Sequence, residues 1–253
     1  MKPLFGREGR KALKALGAKK SLYAFDFDGT LAAIVPVPAK ARMHSASRRR
    51  LLELSRSAPV AVLSGRSRAD LKIKLNMKGV LLVGNHGLET GSCPRTKLAA
   101  AKRTTRRWLR RLETEDLGPG VWVEDKLYSL SVHYLASPAK GQAKRRLAKV
   151  FSKLKPQARI VGGKSVYNLI PSNSPHKGDA LLNLMKTLKV QAAFYLGDDD
   201  TDEDVFRLAR ANKTVLTVRV GRKKGSRAEY FINSQKDLNR ALDLLRGRTG
   251  TTI

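Results

Sequence analysis

Leu22-Tyr23-Ala24-Phe25-Asp26-Phe27-Asp28-Gly29-Thr30 is an apolar run that ends in two acids one residue apart, then a glycine and a hydroxyl. The four apolar residues read as a short buried strand. Residues i and i+2 of a strand point to the same face, so this spacing aims Asp26 and Asp28 at one place where the chain leaves a sheet. Like charges held that close repel, which pushes one carboxyl upward. Such a pair suits a nucleophile beside a proton donor, or two contacts to one cation. The alternative is an acidic turn capping the next helix, because Asp and Gly are ordinary turn residues.

Working outward, the same pattern repeats. Helical spacing at Leu51, Leu52 and Leu54 places a helix over 45–57. The run 59–63 is a second short strand ending at Ser64-Gly65-Arg66. A helix over 69–75 leads to a third strand, 80–83, ending at Gly84-Asn85-His86-Gly87. Short apolar strands alternating with helices predict an α/β fold with a parallel, Rossmann-like sheet covered on both faces. Ligands of such sheets lie at the carboxyl ends of the strands, where each polar motif falls. The rhythm resumes late in the chain, with a helix opening at Lys177-Gly178, strands over 192–196 and 214–220, and a helix from Val205. The first twenty residues, rich in Lys, Arg, Ala and Leu, read as a basic helical or frayed lead-in.

Between these halves the order changes to helix (97–117), two strands (121–124, 127–134), helix (139–154) and two strands (158–161, 165–169) joined through Gly162-Gly163. This is an α+β module with an antiparallel sheet. The expected organisation is a catalytic core of residues 1–91 and 171–253 with an inserted α+β domain at 92–170.

The 253 residues carry a net charge of +30, which favours anionic partners. The basic residues are spread along the chain and are not interleaved with stacking aromatics, so a solvated basic surface is expected, with no specific nucleic-acid partner. No apolar run is long enough to span a bilayer, and the basic N-terminus is not followed by a secretory signal pattern. The single cysteine, Cys93, forms no internal disulfide, which fits a reducing, cytoplasmic setting.

The stretch Gly197-Asp198-Asp199-Asp200-Thr201-Asp202-Glu203-Asp204 places five aspartates and a glutamate within seven residues at a strand end. Without a cation such a cluster repels itself. With Asp26 and Asp28 on another strand end it forms a hard-oxygen site suited to Mg²⁺. Lys177, Arg66 and the Ser64 hydroxyl supply the positive and hydrogen-bonding counterpart that a transferring phosphoryl group needs.

Asp26-Phe27-Asp28-Gly29-Thr30-Leu31, Ser64-Gly65-Arg66, Lys177 and Gly197-Asp198-Asp199 resemble, in order, the four motifs of the haloacid dehalogenase-like (HAD) phosphohydrolases. The inserted module is similar to the α/β cap of that superfamily. More narrowly, Asn85-His86-Gly87-Leu88-Glu89, Glu124-Asp125-Lys126, His133-Tyr134 and the long acidic motif resemble the trehalose-6-phosphate phosphatases. The resemblance implies Asp26 as nucleophile, Asp28 as general acid and base, and Ser64 and Lys177 as phosphate ligands. It implies Mg²⁺ on Asp26, Asp198 and the Asp28 carbonyl, with Asp199 and Asp202 anchoring metal-bound water or Lys177. The sugar would be gripped by Glu124, Lys126 and His133 of the cap, with Arg66, His86 and Glu89 on the core side. Two positions depart from the family pattern. Leu135 stands where an arginine is usual, and Asn168 where a sugar-binding glutamate is usual.

The expected function is that of a hydrolase releasing trehalose and phosphate from trehalose 6-phosphate, a step of trehalose biosynthesis, by a monomer acting on a small phosphosugar. A related phosphatase of mannosyl-phosphoglycerate or sucrose phosphate, a phosphotransferase or mutase using the same aspartate, and a polyanion-binding protein on this scaffold are the alternatives.

Overall fold

A computed structural model describes residues 1–211 and 214–249. In chain order the elements are β1 (Lys2–Pro3), α1 (Arg7–Gly17), β2 (Ser21–Phe25), α2 (Ser45–Ser57), β3 (Val60–Leu63), α3 (Arg68–Leu75) and β4 (Val80–Val83). There follow α4 (Arg95–Glu113), β5 (Trp122–Asp125), β6 (Leu130–His133), α5 (Lys140–Ser152), β7 (Ala158–Gly163) and β8 (Val166–Pro171). The last are α6 (Lys177–Thr187), β9 (Ala192–Gly197), α7 (Glu203–Ala211), β10 (Val215–Val220), β11 (Tyr230–Ile232) and α8 (Leu238–Thr249). They form two compact units, one made of Met1–Gly87 with the chain from His176 onward, the other of Leu88–Pro175. These joints fall at 87/88 and 175/176, where the sequence pattern placed them at 91/92 and 170/171.

The first unit holds a seven-stranded sheet in the order β1-β11-β10-β9-β2-β3-β4, parallel at every pairing. Alternation along β2 explains its continuous apolar run. Tyr23 and Phe25 join a core with Leu51 and Leu54 of α2 and Leu242 of α8. Leu22 and Ala24 join a second core with Leu181 of α6 and Phe206 of α7. A strand buried on both faces has no polar side. From β2 the chain winds outward through β3 and β4, and later returns on the other side through β9 and β10. The order therefore reverses between β2 and β9, the place where ligands of such sheets bind.

The lead-in is not frayed. β1 pairs with β11, and α1 buries Leu13 and Leu16 beside Leu4 in the first core. Gly9 makes this possible, because a Cβ there would lie 2.1 Å from the Leu4 carbonyl oxygen. β11 and α8, which sequence reading did not assign, complete that side.

The second unit is a four-stranded antiparallel sheet, order β5-β6-β8-β7. Trp108 and Leu112 of α4 and Leu147 and Phe151 of α5 cover one face, packing on Leu130, Val132 and Leu169. The Trp108 indole N–H donates to the Pro156 carbonyl at 2.8 Å, satisfying its polar atom in that core. β6 is shorter than the expected 127–134 because Leu127 turns the chain at φ 71°, its N–H held by Asp125 Oδ1 at 2.7 Å. Pairing places Glu124, Ser131, Asn168 and Val161 in one cross-strand row, and the two-residue period puts this row on the face opposite the helices.

Candidate active site

Asp26 follows β2 directly, and its N–H continues the sheet by donating to the Leu196 carbonyl at 2.8 Å. Asp198 directly follows β9, its N–H turned to Asp202 rather than to the sheet. Gly29, at φ 84°, lets the loop after β2 turn against Asp198, and a Cβ there would lie 2.2 Å from an Asp198 carboxylate oxygen. Gly197 plays the same part for Asp202, whose Cγ would lie 2.3 Å from a Cβ.

Asp26, Asp198 and Asp202 are all buried, with ligand oxygens within 4.8 Å of one another. Lys177, at the start of α6 and also buried, donates to Asp26 Oδ1 at 2.6 Å and to Asp202 Oδ1 at 2.7 Å. Burial pushes the Asp26 carboxyl well above the usual carboxylate range. Lys177 opposes this, while the charges of Asp202 and Asp198 add to it. Three carboxylates against one ammonium leave an all-oxygen pocket short of positive charge, which is the chemistry of a hard divalent cation.

Asp202 differs from the other two acids. Besides Lys177, its oxygens accept the Tyr195 hydroxyl at 2.7 Å and the N–H groups of Asp198 and Asp199 at 2.8 and 2.9 Å. These donors commit it to holding the loop and Lys177, leaving Asp26 and Asp198 as the better cation ligands of the three. Asp199 joins Asp202 in a reciprocal cap of the 200–202 turn. Burial raises the Asp199 carboxyl, and the Asp200 N–H works against that.

The two acids of the opening motif do not share one point. β2 ends at Phe25, and the turn through Gly29 sends Asp28 to Arg66, whose Nε and Nη2 each reach a carboxylate oxygen at 2.7 Å. Each acid thus has its own cation. Arg66 also donates from Nη1 to Asp70 and from Nη2 to the Pro38 carbonyl. Ser64, at the end of β3, is buried, and its Oγ accepts the Arg66 N–H at 3.2 Å. Asn85 and His86 fold back on this loop, their N–H groups donating to the Arg66 and Ser64 carbonyls at 2.8 and 3.0 Å. His86 is buried with φ 57°.

Asp26, Asp28, Ser64, Arg66, His86, Lys177, Asp198, Asp199 and Asp202 therefore all lie in the first unit. Glu89, assigned by sequence to the core side, falls in the second unit together with Glu124, Lys126, His133 and Asn168. On the helix-free sheet face, Glu124 meets His133 Nε2 at 2.9 Å and Lys126 Nζ at 3.8 Å. Trp122, 46% exposed, stacks on the His133 ring at 4.0 Å. Asn168 Oδ1 accepts the Ser131 hydroxyl at 2.7 Å.

Sequence reading missed Tyr195, Arg219, Ser131 and Trp122. Arg219 is buried and donates to the carbonyls of Asp198 and Asp199. Its signal was a lone charge inside the apolar strand Val215–Val220. Tyr195 carried no such signal, because its hydroxyl matters only once the neighbouring loop is placed.

Comparison with known proteins agrees with this geometry. A trehalose-phosphate phosphatase of Mycobacterium ulcerans (strain Agy99) is 32% identical over 230 residues, covering 82% of this chain and 58% of that protein. The homologue of Mycobacterium avium (strain 104) is 34% identical over 202 residues, covering 74% and 50%. The chain thus spans little more than half the length of these relatives. The solved C-terminal domain of the C. albicans trehalose-6-phosphate phosphatase superposes with a TM-score of 0.79 at 25% identity, over 98% of both chains. The trehalose-phosphatase family model matches residues 24–236. This span contains both acidic strand ends, Lys177 and the whole antiparallel insertion of a haloacid dehalogenase-like phosphatase, and the chain belongs to the trehalose-phosphatase family.

Proposed function

We propose that this chain is a Mg²⁺-dependent phosphatase that converts trehalose 6-phosphate to trehalose and phosphate. The observation that carries the reading is the buried array in which Lys177 bridges Asp26 and Asp202 beside Asp198, in a chain of this family.

Asp26 is the nucleophile. Its carboxylate attacks phosphorus, the bond to the sugar oxygen breaks, and an aspartyl-phosphate forms. Asp28, in its protonated form with one oxygen released from the Arg66 fork, gives its proton to the departing oxygen, then takes one from the water that attacks the aspartyl-phosphate. The water attacks phosphorus, the bond from phosphorus to the Asp26 oxygen breaks, phosphate leaves carrying the water oxygen, and both acids return to their starting states. Lys177 spends two N–H groups on Asp26 and Asp202 and has a third for a phosphoryl oxygen. The Ser64 hydroxyl binds another. Asp26, Asp198 and the Asp28 carbonyl would hold Mg²⁺, which, when bound, offsets phosphate charge so that one anion can approach another. Asp202 fixes Lys177, and Asp199 fixes the loop. Glu124, Lys126, His133 and Asn168, with Glu89 and His86, recognise the sugar, whose hydroxyls both donate and accept, and Arg66 orients Asp28. A small phosphosugar substrate and a single cysteine fit a cytoplasmic monomer, and among the described residues no helix is long and apolar enough to cross a membrane.

A second reading, another glycosyl phosphate such as sucrose phosphate or mannosyl-phosphoglycerate, is favoured by Asn168, whose oxygen is engaged by Ser131, and by the exposed Leu135. Turnover of a phosphosugar panel with and without Mg²⁺ separates the two. Trehalose 6-phosphate hydrolysed no faster than an aryl phosphate would remove the first reading, and activity unaffected by EDTA would remove the metal.

A further inference from the structure

α4 carries eight basic residues in nineteen positions: Arg95, Lys97, Lys102, Arg103, Arg106, Arg107, Arg110 and Arg111. Its apolar stripe, Ala101, Thr105, Trp108 and Leu112, is buried. At ~100° per residue, Lys102, Arg103, Arg106, Arg107 and Arg110 sweep an arc of about 140° centred roughly opposite that stripe. All five are exposed. They line an open groove along α4 with Leu109. One acid, Glu113, is exposed on the same stretch of α4 and lines the groove too. The acids just beyond the helix serve other cations, Glu115 pairing with Arg111 and Lys153, and Asp116 with Arg146. Among the described residues, no acid forms an ion pair with any of the five. Their charges repel one another along ~12 Å of helix, and neither the fold nor a single phosphosugar uses them.

We propose that the outward face of α4 docks the phosphate backbone of duplex nucleic acid without regard to sequence. Duplex DNA presents one charge per ~1.7 Å of axis, and a helix of ~10–12 Å diameter fits a major groove of about 12 Å. Side chains fanned over 140° then reach phosphates on both walls. Four of the five are arginines, whose planar forks bind phosphate oxygens in pairs. The arc holds no Asn or Gln to read base edges. The helix's one aromatic, Trp108, is fully buried, which removes the stacking that single strands need. The apolar stripe is likewise unavailable for insertion into lipid.

The test is fluorescence anisotropy of a labelled duplex of ~20 base pairs at several salt concentrations. The full chain should bind with a slope of log K against log salt of about −4 to −5, as five phosphate contacts require. The R103Q/R106Q/R107Q/R110Q variant should reduce that slope to about −1 and weaken binding at least ~10-fold at ~100 mM salt. Its aryl phosphate turnover and circular dichroism should be unchanged. Replacing the same four arginines by lysine should restore most of the slope. A control of equal charge loss on exposed positions elsewhere, K11Q/K14Q/K19Q/K20Q, should keep it. The proposal fails if the control loses as much as the arginine variant, if no duplex binds, or if anionic phosphatidylserine vesicles bind through the four arginines while duplex does not.

Discussion

Arg66 grips both carboxylate oxygens of Asp28, Nε on one and Nη2 on the other, each at 2.7 Å. Asp70 and the Pro38 carbonyl hold the same guanidinium from its other side, so the fork orients Asp28 rather than swinging free. Lysine carries the charge but not the paired geometry. Arg66→Lys should lower kcat by about 10- to 100-fold for phosphosugar and aryl phosphate alike, because both need Asp28 to activate water. KM should change little. If Arg66 instead acted by binding sugar, the loss would be confined to phosphosugars and would fall on KM.

Asp26→Asn removes the nucleophile while keeping the shape. Turnover should fall by at least ~10⁴-fold. Burial and two neighbouring acids oppose the charge of Asp26, so losing that charge offsets the lost bond to Lys177. The melting temperature without metal should stay within a few degrees of the parent. Activity retained by this variant would end the proposed mechanism.

Among the described residues, Lys177 is the one buried cation bonded to Asp26 and Asp202. Lys177→Met strands both carboxylates in a dry pocket, and breaking a buried ion pair from one side costs about 3–5 kcal/mol. Denaturant unfolding measures this directly. A loss below ~1 kcal/mol would mean the pair is solvated and the site open.

The strand-end parts of the site legible in the sequence share one property: each sits where an apolar run stops. Asp26, Ser64 and Asp198 needed only the strand ends of β2, β3 and β9 to be placed together. Arg219 and Tyr195 needed the strand order as well, since each acts on a loop that follows β9. The N-terminal helix stood beside a frayed lead-in as one of two readings, because the lysines and arginines around Leu13 and Leu16 outnumber the apolar stripe they accompany. Asn168 was legible as a departure from the family, but its bond to Ser131 depends on antiparallel register.

Alkaline stability should report on Tyr195 and Lys177 together. Burial, then the negative charge of Asp202, push the Tyr195 hydroxyl well above the usual tyrosine range. Burial lowers Lys177, but Asp202 and Asp26 outweigh it and raise the ammonium above the usual lysine range. The unfolded chain releases these protons near pH 10 to 10.4, whereas the folded chain keeps them. Their stabilisation is therefore complete below about pH 10 and is lost as pH rises beyond it, each group adding ~1.4 kcal/mol per pH unit to the slope. Tyr195→Phe should cost about 1.5–3 kcal/mol at neutral pH, the worth of a hydrogen bond to a charged group, and make the alkaline fall shallower. An unchanged slope would show that Tyr195 ionises normally.

On the helix-free face of the antiparallel sheet, Glu124 joins His133 at 2.9 Å and Lys126 at 3.8 Å, and Trp122 lies flat on the His133 ring. These residues belong to the second unit and the Asp26 array to the first, so their substitution should affect sugar recognition without altering phosphoryl chemistry. Glu124→Gln and Lys126→Met should each reduce kcat/KM for the phosphosugar by about 10- to 100-fold, the scale of one lost polar contact to substrate. Aryl phosphate turnover should move less than about 2-fold, because that substrate has no hydroxyls to recognise. Equal losses on both substrates would show that Glu124 and Lys126 support the fold rather than the sugar.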